Sequence, residues 1–237
     1  MRPVSTSNTS NCFDDGCELC AELRGSSSRF STIYGRHSES RILAKTNNFV
    51  VMPSIGMLGD AHLMVVSATH ETAASKLSPP LKVELDQIVS ALRNWLHGVV
   101  GQNVLVFENG DPAANGEMGC TISHLHVHLV ATNAPIDKIV ADVGALGRLR
   151  EVAGLTEIPA SVAAYSFFDG GDRALVIEQR LPSQTIRRLI ASAIGEPRWD
   201  WRQVEAEPKL ISLMESSRAA VSDVVGCLAF AHSSTHA

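Results

Sequence analysis

Three histidines at alternate positions, His124, His126 and His128, interrupt an otherwise apolar run that continues through Leu129 and Val130. In an extended chain successive side chains point to opposite faces, so the three imidazoles share one face and Leu125, Val127 and Leu129 take the other. Three rings in a row forgo apolar burial, which makes a purely structural role a poor use of that face; the plain alternative is a set of exposed histidines on a solvated edge. Two chemistries suit the pattern. Alternate histidines can chelate a hydrolytic metal. Alternatively, one imidazole attacks phosphorus while its neighbours steady the phosphate, a task for which a ring neutral near pH 7 is suited. Spacing alone does not choose between them.

A second group of reactive side chains lies far upstream. Cys17 and Cys20 form a CxxC pair, and the other three of the five cysteines, Cys12, Cys120 and Cys227, are scattered. An odd count in a chain of 237 residues reads as a metal site plus free thiols in a reducing compartment, not as a disulfide framework. A redox pair is the competing reading of the two close cysteines. Between the triad and the strand expected before it lies FENGDPAANGEMGCT, whose small residues and backbone N–H groups can approach an anion closely. No Gly-Lys-Ser/Thr follows, so it is not a Walker loop.

The segment GCTISHLHVHLV resembles the signature of the histidine-triad (HIT) superfamily, and GDAHLMVVSATH resembles the strand that precedes it there. The order of CxxC, this strand and the triad is similar to the zinc-containing branch related to galactose-1-phosphate uridylyltransferase. The likeness spans roughly residues 17–132 and rests on three separated motifs in one order. It departs at Asp60-Ala61-His62, where Pro-Gly-His is common, and at Cys120, where a polar residue is common.

The resemblance implies that His126 forms a covalent nucleotidyl intermediate, that His128 binds phosphate oxygens, and that Cys17, Cys20, His70 and His124 hold a structural zinc ion. It also makes Asn109 and Gly119 loop contacts to the ligand, where an ordinary long connection is the alternative, and His62 a support for the triad, where a satisfied core histidine fits too; Thr121 reads as a hydroxyl donor to phosphate or as a strand threonine with a solvated hydroxyl. Further on, LPSQTIRRLIASAIGEPRWDWRQ resembles a segment in C-terminal extensions of HIT-like proteins of the CwfJ type. That likeness makes Gln184 and Arg187 candidates for contact with the phosphates or base. Arg188, Asp200 and Trp201 read equally well as a lock holding the segment in place. The implied activity is a nucleotide hydrolase or nucleotidyltransferase acting on nucleoside-phosphate-X substrates. The alternatives are a zinc-dependent phosphoesterase using the triad as ligands, and a non-catalytic module that binds nucleotide or RNA. Many small HIT proteins are dimers, so a homodimer is one expectation, with the extension as a rival cover for the pairing surface.

The elements that must carry these residues follow from periodicity. Strands are expected on both sides of a turn at Asn47-Asn48, over His62–Val66, over Asn103–Glu108 and over Thr121–Ala131. Ser78-Pro79-Pro80 starts a helix with Leu81, Leu85, Ile88, Val89, Leu92 and Leu96 on one stripe and Gly98 as its stop. A helix is then expected over Ile136–Glu151, a hairpin around Asp169-Gly170-Gly171-Asp172, a helix over Pro182–Ile194 and a final Ala/Ser-rich helix. Together with the resemblance, these elements imply an α+β class: a HIT-like antiparallel sheet with flanking helices over residues 12–135, and a smaller α/β extension over 136–237 packed on it, after a disordered stretch at 1–11.

Hydrophobic content of 45% with 19% charged residues is that of a soluble globular protein. A net charge of -5 argues against a nucleic-acid partner but leaves room for one small anion. No apolar run approaches the roughly 20 residues that span a bilayer. The polar first residues lack the apolar segment of a secretory signal, so a cytoplasmic location is expected.

Overall fold

The computed structural model describes residues 16–111, 122–179 and 181–233. Eight strands form one antiparallel sheet: β1 (Ala44–Lys45), β2 (Phe49–Pro53), β3 (Ala61–Ser67), β4 (Asn103–Gly110), β5 (His126–Thr132), β6 (Leu149–Val152), β7 (Tyr165–Asp169) and β8 (Ala174–Ile177). Their spatial order is β1-β2-β3-β5-β4-β7-β8-β6. The α-helices among the described residues are α1 (Glu18–Leu23), α2 (Arg29–Tyr34), α3 (Pro79–Val100), α4 (Ile136–Gly144), α5 (Thr185–Ile194) and α6 (Pro208–Ser233). The class is α+β, as expected. None of the helices searched among the described residues is long and apolar enough to cross a membrane.

Alternation along β5 divides the molecule into two layers. Val127, Leu129 and Ala131 face a large core with Val65, Val106 and Val176. There α3 lays down Leu85, Ile88, Val89, Leu92 and Leu96, and α6 adds Leu210, Met214, Val221 and Val225. Burying each Leu, Ile or Val of the α3 stripe is worth about 1.5–3 kcal/mol. The opposite face of the sheet is covered in two patches. Near β2 and β3, α1 packs Leu19 and Cys20 on Val50, Met52, Met64 and Val66. Near β4 and β7, α4 and α5 pack on Leu105, Phe107, Val130 and Phe168. His126 and His128 lie on that same face, because Val66 pairs with His126 and Met64 with His128.

Several boundaries differ from the expected ones, each for a local reason. Helix α3 runs through Gly98 and stops at Gly101, whose φ of +68° supplies the left-handed cap. Residues 149–152 form β6 instead of extending α4: the helix ends at Gly144, and Leu149–Val152 pairs with Ala174–Ile177 of β8. Helix α5 begins at Thr185, not Pro182, since Gln184 takes φ +62°. The triad strand is counted from His126, with His124 just ahead of it. Helices α1 and α2 carry too few residues to show a periodic stripe. The stretch expected to be disordered, 1–11, lies outside the described residues.

Candidate functional site

Each histidine of the triad is held by an acceptor or donor that fixes which nitrogen carries its proton. His124 places Nε2 2.8 Å from the Ser67 carbonyl oxygen. A carbonyl only accepts, so Nε2–H donates and the Nδ1 lone pair is left for another partner. That partner is a sulfur cluster: Nδ1 stands 3.5 Å from Cys17 Sγ and 3.4 Å from Cys20 Sγ. His70 Nδ1 stands 3.2 Å from Cys20 Sγ. The four ligand atoms of Cys17, Cys20, His70 and His124 all lie within 4.8 Å of one another. A tetrahedral ion held by two sulfurs and two nitrogens has ligand–ligand edges of about 3.3–3.8 Å, so the donor set fits one. Helix α1 contributes by placing Cys17 at its N-cap, where Sγ accepts the Cys20 N–H at 3.5 Å. Without an ion, burial pushes the Cys17 thiol up to about 12, with the neighbouring Cys20 adding to the shift. Burial also pushes His124 down to about 4.

His126 is turned the other way. Its Nδ1 lies 2.6 Å from the carbonyl oxygen of His124, so Nδ1–H donates and Nε2 keeps a free lone pair. Burial, followed by the charges of Arg187 and Arg41, holds its pKa below the usual histidine value, against the opposing pull of the His124 carbonyl. The ring is therefore neutral at physiological pH, with a basic nitrogen in the cleft that it lines.

His128 is set by a relay. The Leu58 N–H donates to His62 Nδ1 at 3.1 Å, and His62 Nε2 lies 2.9 Å from His128 Nδ1. A neutral His62 so occupied carries its proton on Nε2 and donates it to His128, which leaves His128 with Nε2–H as a donor. Burial pushes both rings well below the ordinary histidine range, His128 also by the charge of His126 and His62 by that of Arg187. Phe107 stacks on His128 at 4.3 Å and 18°, which holds the ring plane. The two residues are paired across β4 and β5.

A cleft lies above these rings, with His126 and His128 in its floor. Helix α1 lines it with Glu18, Leu19 and Glu22, and the segment before and into α5 lines it with Leu181, Gln184 and Arg187. Arg41 and Glu22 meet there as a buried ion pair at 2.8 Å, with Arg41 Nε also donating to the Pro53 carbonyl at 2.7 Å. Burial outweighs the Arg41 charge, so the Glu22 carboxyl sits above its usual range. The Arg29 guanidinium lies over the Trp201 ring at 5.7 Å and donates to the Trp201 carbonyl, which ties the start of α2 to the segment after α5.

Of the other expected ligand contacts, Asn109 lines the cleft and accepts the Ser166 hydroxyl at 2.7 Å. Gln184 also lines it, but its amide is engaged at both ends, donating to Asp200 at 2.7 Å and accepting the Trp201 N–H at 3.2 Å. Asp200, whose carboxyl Arg202 holds well below the usual carboxylate range, and Trp201 thus brace Gln184 within the segment itself. Thr121 and Gly119 lie outside the described residues, as does Cys120. Sequence reasoning missed Arg41, Glu22 and Glu18. Their only signal was charge within otherwise apolar stretches, and pairing across 19 positions is invisible to periodicity.

No family model matches the chain, and no curated protein matches it. Among solved structures the chain is similar to the crystal structure of a DUF4931 family protein from Bacillus cereus. The TM-score is 0.38 at 13% identity, over 77% of this chain and 98% of that one. A likeness this distant bears on neither ligand nor reaction.

Proposed function

We propose that this chain is a nucleotide hydrolase or nucleotidyltransferase that works through a covalent His126–nucleoside monophosphate. The observation that carries the reading is the hydrogen bond from His126 Nδ1 to the His124 carbonyl at 2.6 Å, which leaves an unprotonated Nε2 on a ring that lines the cleft. The motif likeness to the zinc-containing branch of the HIT superfamily supports it, with residues 12–135 carrying the chemistry and 136–237 completing the cleft.

His126 Nε2 attacks the phosphorus of a nucleoside-phosphate-X; the nitrogen–phosphorus bond forms as the bond to X breaks, and X leaves with its electron pair. His128 Nε2–H donates to a phosphoryl oxygen and opposes the charge that grows there. Water, or a phosphate-bearing acceptor, then attacks phosphorus on the face opposite His126; the nitrogen–phosphorus bond breaks, its electron pair returns to Nε2 to give neutral imidazole, and the proton of the attacking water passes to solvent. The ion suited to Cys17, Cys20, His70 and His124 is zinc, and four protein donors fill its tetrahedral shell. It would supply rigidity, pinning α1 to the triad, and take no part in the displacement.

The test is to quench the protein during turnover of a nucleotide labelled at the reacting phosphorus. Acid-labile label on wild type and none on folded His126→Ala is the expected result. Equal labelling of the two would sink the assignment.

A further inference from the structure

The loop between β2 and β3 is clamped at one residue from both sides. Met57 donates its N–H to the Glu207 carboxylate at 3.1 Å, and its carbonyl accepts from Lys209 Nζ at 3.0 Å. Both partners come from the far end of the chain, Glu207 just before α6 and Lys209 in its first turn. The loop has little stiffness of its own, because Gly56 and Gly59 take φ +65° and +63° on either side of the clamped residue.

The Met57 carbonyl and the Leu58 N–H belong to one peptide group, joined by resonance across its C–N bond. An ammonium on the oxygen therefore polarises the N–H, and that N–H is the donor to His62 Nδ1 at 3.1 Å. His62 Nε2 donates in turn to His128 Nδ1 at 2.9 Å. Lys209, the peptide, His62 and His128 thus form one line in which every bond points the same way. Aligned bonds polarise one another by about 10–30% each. A positive charge stands at the head of the line, and its last ring lines the cleft.

Lys209 suits the head position. Its side chain is 38% exposed, so the ammonium keeps contact with water and avoids most of the desolvation cost of a buried charge. Glu207 Oε1 is 4.0 Å away, at the limit of an ion pair, while Oε2 takes the Met57 N–H. The charge of Lys209, after burial and Arg187, helps to hold His62 below the ordinary histidine range. Lys209 lines an open groove with Asp60 and Glu196 that shares no lining residue with the cleft.

We infer that Lys209 is a positioning residue for the reaction, acting on His128 from outside the cleft through the Met57–Leu58 peptide and His62. No proton moves along the line. The line fixes the Nε2–H tautomer of His128 and strengthens that N–H toward the phosphoryl oxygen, where negative charge grows. This rests on the reading of His126 as nucleophile and His128 as donor to phosphate. It gives the C-terminal extension a part in the chemistry that requires no contact with the ligand.

The experiment compares wild type, Lys209→Met and Lys209→Arg as full chains. The imidazole nitrogen and proton NMR signals of His62 and His128 are recorded without substrate. Turnover is measured on the p-nitrophenyl esters of AMP, GMP, CMP and UMP. Lys209→Met should shift both sets of signals toward weaker hydrogen bonds. It should lower kcat by about 3–10-fold and change KM by less than about 2-fold. Lys209→Arg returns a charged donor to the Met57 carbonyl and should recover the signals and most of the rate. Lys209→Gln, which lacks the charge, replaces the Met variant if that one does not fold. Unchanged signals in Lys209→Met, or shifted signals with an unchanged kcat, overturn this role. If the signals move and Arg restores them while folded His126→Ala still takes label, the relay stands and the nucleophile is another group.

Discussion

At the scale of single residues, the site is an arrangement of proton positions. Two carbonyls, those of Ser67 and His124, and one amide N–H, that of Leu58, dictate which nitrogen of each ring is bare. His62 is a positioning residue: it orients His128 and sets its tautomer without lining the cleft. Replacing it with Phe keeps the ring volume in a fully buried place but removes the donor to His128. Turnover should fall by about 10–100-fold, as for loss of an orienting partner, and the nitrogen NMR signals of His128 should report a changed tautomer. A variant with altered rate but unchanged His128 signals would rule out this role. The triad and the CxxC pair were legible because their spacing is local. The relay was not, because it joins residues 66 positions apart and depends on a backbone N–H that no pattern reveals.

At the scale of elements, β5 is the middle of the argument. Its alternation, read from Leu125 to Leu129, correctly gave a core face and a histidine face, and the same logic located β3 and β4. It did not give β6, since Leu149–Val152 is a mostly exposed strand whose partner, Ala174–Ile177, lies beyond another strand in sequence. Nor did it give α1, which is only 6 residues long and is held by Cys17, Cys20 and Leu19 instead of by its own propensity. Helix α1 should therefore depend on the ion. Stripping metal from the folded protein should lower the thermal midpoint by roughly 10 °C, a few kcal/mol in a chain of this size. Amide exchange should rise first across Glu18–Leu23, and one equivalent of zinc should restore both. A stripped protein with unchanged midpoint would dissociate the cluster from stability. Gly110 makes a second case: a Cβ there would lie 2.3 Å from the Tyr165 ring. Gly110→Ala should cost about 1–3 kcal/mol by displacing that ring, read as a shifted denaturant midpoint.

For the whole molecule, the layer away from the cleft holds a titratable group that bears on stability. Glu108 is buried at 1% exposure, accepting the Ala74 N–H and the Tyr165 hydroxyl, each at 2.8 Å. Burial, the main cause, pushes its carboxyl up to about 7, against those two hydrogen bonds. A folded-state pKa above the unfolded one means that stability is fully present below the ordinary glutamate value of 4.5 and is lost as pH rises through about 7. The loss amounts to about 3 kcal/mol at most. Urea unfolding of wild type and Glu108→Gln across pH 5 to 8 should show wild type losing ground to the variant as pH rises. Parallel curves would show that the carboxyl does not titrate in this window.

The cleft is bounded on one side by residues 18–22 and on another by residues 181–187, portions of chain that flank everything the triad motif covers. A fragment trimmed to the recognisable motif would keep His126 and drop Arg187, and one begun after the CxxC pair would drop Cys17 and Cys20 from the four-donor cluster. Anyone cloning by motif boundaries would thus purify a protein with an incomplete cleft. Assays, libraries and crystallisation trials on this chain need both flanks from the outset.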